Sequence, residues 1–413
     1  MHNNFLRRWL TVSFFNLLLV AFIGVILRYK IAFYLPWVQQ KFLLHSHSHF
    51  AFAGWVTQTF MVLFVHYLGL QSGGAVYKRY RWLLYANLIA AYGMLVSFIL
   101  QGYALFSVSF STLSIFVSYI FAACFWKDLN KIKERKVSHL WFKAALVFSV
   151  ISSIGAFGLA YMMANKIASQ NWYLAAIYFF LHFQYNGWFF FAGMGLLVTK
   201  LEVIGEAAKN LTLAFLLFCL ACLPAYFLSV LWLPIPMIVY SLIVAAVIAQ
   251  LAGWLVMLKI FITNKLFISQ QFSKQGRLLL LLSAIAFSIK LVLQSGSLHP
   301  ALSQLSYGFR PIIIGYLHLV LLAVTSIFIL GYIVSFYLIP LTKKLMTGIF
   351  IFVAGIIINE VLLMVQGVAA LNYNSIPHIN ILLLTAAIIL LSGISILFIS
   401  SYKASRVNIK NIL

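Results

Sequence analysis

Apolar stretches of about 20 residues recur from one end of this chain to the other, and nothing constrains its fold more. A stretch of that length spans the hydrocarbon core of a bilayer as an α-helix. Across the 413 residues the mean hydropathy is +1.05, and only 8% of residues are charged. A membrane barrel would show short alternating segments instead. The expected fold class is therefore all-α: a polytopic membrane protein of about twelve helices. The spans are read at 9–29, 49–70, 82–103, 105–126, 139–163, 172–198, 211–232, 235–262, 277–298, 311–337, 346–368 and 378–401. The first lacks a small-residue cleavage site, so it reads as a span and not as a removed signal. No Gly/Ser-rich or Pro-rich linker divides the chain, which reads as one transmembrane domain over 1–413.

The net charge of +23 does not call for a nucleic-acid partner, because its distribution is topological. With the N-terminus in the cytoplasm, 22 of the 28 Lys and Arg fall on the cytoplasmic side and only Arg28, Lys30, Lys41, Lys166 and Arg310 fall outside. That bias puts both termini inside. Of the three cysteines, Cys219 and Cys222 lie in span seven and Cys124 near the end of span four. No disulfide framework follows from them.

Within this apolar background the run His45-Ser46-His47-Ser48-His49 opens span two. Ionisable groups in spans are expensive and usually functional, and histidine is the commonest metal ligand. Under the deduced topology these histidines lie at the outer face. His182, in span six, lies roughly 15 Å below it, and His318, in span ten, roughly 10 Å, at about 1.5 Å of rise per residue. Three spans thus bring histidine into the outer half of the membrane. His45 and His49, four apart, share a helix face, while His47 points away from it. Depth favours His49 as a heme ligand, with His47 as runner-up. His66, His139, His2, His299 and His378 read as interfacial residues.

The other intramembrane charges are Lys290 in span nine and Glu360 in span eleven, accompanied by Gln294, Asn359 and Gln366. They could pair with each other. Alternatively Glu360 could handle protons. The aromatic runs Tyr178–Phe180 and Trp188–Phe191 read as packing rather than as a porphyrin wall.

Twelve spans with histidine at the outer end of span two, in span six and in span ten resemble subunit I of the heme-copper oxidase superfamily, which includes oxygen and nitric oxide reductases. The resemblance covers the whole chain in architecture, and spans two, six and ten in motif. Gly315-Tyr316-Leu317-His318-Leu319 is similar to the H-x-H pair of span ten, with the low-spin heme ligand kept as His318 and the high-spin ligand replaced by Tyr316. His182-Phe183-Gln184-Tyr185-Asn186-Gly187 resembles the H-x-x-x-E-G segment of nitric oxide reductases, with Asn186 in the glutamate position. His47-Ser48-His49-Phe50-Ala51-Phe52-Ala53-Gly54 resembles the H-x-H-E-M-x-F-G motif of a twelve-span branch associated with the nitric oxide response. Span seven has no histidine pair at its outer end, Pro224–Val230.

The resemblance implies one heme b held by His318 and by His49 (or His47, His45), with Lys290 and Arg310 as candidates for holding its propionates, and used for electron transfer. The electron donor would be a quinol or cytochrome, or a redox partner subunit, in a bacterial inner membrane. Two alternatives remain. One is a divergent oxygen or nitric oxide reductase, with a second heme, copper or non-heme iron at His182, Tyr185, Asn186 and Tyr316. The other is a transporter using Lys290 and Glu360.

Overall fold

The computed structural model describes residues 2–205, 207–300, 302–303 and 310–410, with side chains from 4 onward and up to 404. Met1 and residues 411–413, and with them the expected cytoplasmic placement of the chain ends, lie outside the described residues.

Among the described residues all regular structure is helical, as the bilayer requires: with no water to satisfy it, backbone must close its hydrogen bonds within the segment. The helices are α1 (His2–Ala32), α2 (Gln40–Phe50), α3 (Gln58–Ser72), α4 (Ala75–Gln101), α5 (Leu105–Leu129), α6 (Val137–Ala164), α7 (Gln170–His182), α8 (Phe190–Leu201), α9 (Ala207–Cys222), α10 (Met237–Thr263), α11 (Lys265–Gln271), α12 (Lys274–Gly296), α13 (Arg310–His318), α14 (Ile327–Ser335), α15 (Lys343–Leu371) and α16 (Ile379–Lys410).

Among the described residues ten helices are long and apolar enough to cross a membrane, or up to eleven if the bent pair Ala207–Cys222 and Pro224–Val230 is one span. This agrees with the expected all-α fold of about twelve spans. The expected span outside that number is span six. Gln170–Leu201 is helical throughout, but His182, Gln184, Tyr185 and Asn186 at its middle lower its hydropathy below that of its neighbours. Span seven is bent by 45° where Pro224 follows α9, since proline cannot continue the helical hydrogen-bond ladder.

The chain forms two compact units, Met1–Ile132 with Ile329–Leu413, and Lys133–Phe328. In the first, α15 crosses α16, α1 packs on α16, and α4 packs against α2, α3 and α5. Tight turns after α3 and α4 use Gly73 (φ 85°) and Gly102 (φ 63°), a region that favours glycine. In the second unit α6 packs on α7 and α8, and α9 on α10. In the second aromatic run of span six Trp188, Phe189 and Phe191 are buried, and Phe190 stacks on Phe287 at 5.0 Å between centroids.

The start of α6 is closed from elsewhere in its unit. Glu202 accepts hydrogen bonds from the Ser138 backbone N–H and from its Oγ, both at 2.9 Å. A carboxylate there satisfies one of the orphan donors of the first turn and opposes the helix dipole. We expect Glu202→Ala to lower stability by about 0.5–2 kcal/mol, the usual cost of a lost cap, read as a lower melting temperature in detergent. Burial pushes the Glu202 carboxyl up, against the Ser138 hydrogen bonds. A raised carboxyl contributes stability that is complete below its unfolded value and lost as pH rises through the folded one. The melting temperature should therefore fall over that window more steeply in the wild type than in Glu202→Gln.

Candidate functional site

Each of the three histidine-bearing spans carries a π-helical segment directly after its histidine. Ala51–Thr57 follows His49 by two residues, Phe183–Phe189 follows His182, and Leu319–Ser326 follows His318. Such wide turns are rare, cost regular hydrogen bonding and concentrate at functional sites. Side chains of neighbouring helices bond carbonyls of the first and third segments. Asn16 of α1 donates to the Gly54 carbonyl at 2.6 Å, and Asn87 of α4 donates to the Ala53 carbonyl at 3.1 Å and to Gln58 Oε1 at 2.7 Å. Tyr92 donates in turn to Asn16 Oδ1. In the third segment Ser283 of α12 donates to the Val324 carbonyl at 2.8 Å, and Thr325 and Ser326 donate five residues back. Asn16, Asn87 and Ser283 are functional candidates that motif reading missed. The signal was present: lone amides and hydroxyls in apolar spans need a partner.

On α2 the helical phase separates the three histidines. His45 and His49 both face Phe98 and Tyr103 at the C-terminal end of α4 and just beyond it. His49 Nε2 lies 3.0 Å from the Tyr103 hydroxyl and its ring stacks on Phe98 at 4.4 Å. The His45 ring meets Tyr103 edge-on at 4.7 Å. His47 turns toward α1, where a Cβ on Gly24 would stand 3.4 Å from its Cε1.

His318 Nδ1 is 2.8 Å from the Ile314 carbonyl. A carbonyl only accepts, so Nδ1 carries the proton and Nε2 is the basic nitrogen. That is how a metal-ligating histidine is normally oriented.

His182 has the opposite arrangement. It is 1% exposed; its Nε2 donates to the Cys222 carbonyl at 2.8 Å and its Nδ1 accepts from Asn186 Nδ2 at 3.1 Å. Both ring nitrogens are engaged by the protein. Of the other residues considered for a second metal, Tyr185 bonds Ser229 and meets the Tyr316 ring edge-on at 6.3 Å. Among the described residues no three His, Cys, Asp or Glu side chains gather as a metal-holding group.

Lys290 is 3% exposed and reaches a cavity of ≈ 10 Å³, the space of one water, lined by Asn186, Cys222, Gln250, Phe190 and Phe287 among others. Its ammonium stands 5.4 Å from the Phe287 ring, and among the described residues no carboxylate lies within ion-pair distance of it. Gln294, one turn on, donates to Gln250 at 2.9 Å. Glu360 belongs to the other unit. There it accepts from Asn359 at 3.1 Å and has Arg28 of α1 as its charged neighbour. Arg310 is exposed at the start of α13.

No family model and no curated protein matches the sequence.

Proposed function

We propose that this integral membrane helical bundle is a heme protein of the bacterial inner membrane, with one low-spin b-type heme held by two histidines. His318 is one ligand. Its Nδ1–H bond to the Ile314 carbonyl carries the reading, because it presents Nε2 as the basic donor that heme iron takes. For the second ligand we take His47 in place of the deeper His49. His49 Nε2 would have to leave the Tyr103 hydroxyl, and its ring the face of Phe98, to take the iron. Arg310 is kept as the propionate candidate, and Lys290 is assigned to its own cavity.

Bis-histidine ligation leaves iron no open position, so the bound heme supplies electron transfer and not gas binding. The chain's own contribution is to fix the imidazole tautomer at His318 and to exclude water with the surrounding apolar helices. A quinol, cytochrome or redox subunit would supply the electron. The doubly engaged His182 argues against a reductase centre built on it, since ligation there would break the bond from Asn186 or that to Cys222.

Oxidised and dithionite-reduced absorption spectra of the purified protein test the reading, with heme supplied during expression. A sharp low-spin b-type α-band is expected in the wild type, absent in His318→Ala and His47→Ala and kept in His49→Ala. A colourless wild-type protein would sink the heme reading and leave transport through Lys290 and Glu360 as the alternative.

A further inference from the structure

We propose that His45, His49 and Tyr103 form a binding site for a divalent transition-metal ion, Cu²⁺ or Zn²⁺, separate from the heme. The argument begins with spacing. Two histidines at i and i+4 stand one above the other on a helix and can clamp one ion between them. Both rings here turn to the same phenol. The His49 Nε2 to Tyr103 oxygen distance is 3.0 Å. Two donors bound at about 2.0–2.1 Å in a tetrahedron stand about 3.3 Å apart, so this pair needs only a few tenths of an ångström to become two corners of one.

The second observation is His45. Its Nε2 is buried and has no hydrogen-bond partner among the described residues, while its ring packs on Tyr103. A buried imidazole nitrogen left unsatisfied costs free energy, and a donor bond to an ion would recover it. Phe98, stacked on His49 and in edge contact with Tyr103, fixes the orientation of both donors before any ion arrives.

The donor set is two imidazoles and one phenol, with a fourth position for water. Imidazole suits Cu and Zn, whereas Ca and Mg want all-oxygen sites. Lys41, one turn before His45, adds a positive charge nearby, so the ion would be held by donor bonds and not by the local field. This also favours Cu²⁺, the strongest binder in the divalent series. His47, on the other face, takes no part.

The test is calorimetric titration of chelator-treated protein in detergent with Cu²⁺ and Zn²⁺ separately, with heme content and circular dichroism recorded on the same samples. One equivalent is expected in the wild type. Affinity should fall by at least about tenfold in His45→Ala and His49→Ala, judged against losses of 10–100-fold when even an outer partner is removed, and by less in Tyr103→Phe. His378→Ala should bind as the wild type does. His45→Asn keeps a polar side chain of similar bulk and serves if the alanine variant misfolds.

Unchanged binding in the folded His45 variant would overturn the proposal. So would loss of the heme band in His49→Ala with His47→Ala spectrally normal, because His49 cannot serve both ions. A wild type that binds metal but is colourless would leave this site standing and remove only the heme.

Discussion

Replacing Gly393 with valine should abolish the folded protein. Where α15 crosses α16, a Cβ on Gly393 would stand 2.3 Å from the Phe352 backbone nitrogen and 2.7 Å from its Cα. Gly348 on the opposite helix has the same relation to Leu397, with a Cβ position 2.7 Å from its backbone nitrogen. Helices in lipid gain little from hydrophobic attraction and rely on close backbone approach through small residues. A flexible side chain could yield to an intruding methyl, but backbone cannot, so the two helices must separate. Overpacking costs about 1–3 kcal/mol where side chains can adjust, and more is expected here. Size-exclusion chromatography in detergent should show the monodisperse peak lost in Gly393→Val and strongly reduced in Gly393→Ala. Gly158→Ala is the control, because nothing lies within 4 Å of its Cβ position. Near-normal yield of Gly393→Val would mean that α15 and α16 do not cross as described.

The second large effect is expected at a residue that touches no proposed ligand. Asn87 is fully buried and holds the Ala53 carbonyl and Gln58 together. Asn87→Leu takes the donor from Gln58 Oε1 in an apolar interior, at about 1–3 kcal/mol for a buried group left unpaired, and removes one of the two bonds at the Ala53 carbonyl, which keeps that from the Gln58 backbone N–H. The π segment over Ala51–Thr57 then loses one of its two outside supports and should relax toward α-helix. A residue gained or lost by a helical turn rotates one part of a helix against the other by about 100°. His45, His47 and His49 lie on one side of that segment. Asn87→Leu should therefore lose both the heme band and the metal site while remaining helical by circular dichroism. Full heme content in this variant, with a melting temperature like the wild type's, would show that the amide does not hold the segment open.

The helices were legible because lipid forces the issue: a long apolar run has no alternative structure there. Span six was legible as a helix but fails on apolarity for the same reason that it drew attention, its central polar group around His182. The phase of His45, His47 and His49 also followed from sequence, since residues four apart must share a face. What His182 does was not legible. Its partner is a backbone carbonyl next to a bend 40 positions away, and no side-chain motif records a carbonyl. The π segments were hidden in the same way. A wide turn has no composition of its own, and its signature is scattered over Asn16, Asn87 and Ser283 on other helices. Charge pairing was hidden too. Lys290 and Glu360 are alike in rarity, yet only the folded chain shows Arg28 beside Glu360 and a water-sized cavity beside Lys290.

A π turn is also an extra residue accommodated inside a helix. Deleting one residue from a membrane helix normally swings everything on one side of the cut onto the wrong face. Deleting one from 51–57, 183–189 or 319–326 would instead restore an ordinary α-helix and leave both flanks where they were. These three short stretches are thus where the transmembrane chain could change length by one in evolution without refolding, and each lies directly beside a histidine whose surroundings that change would reset.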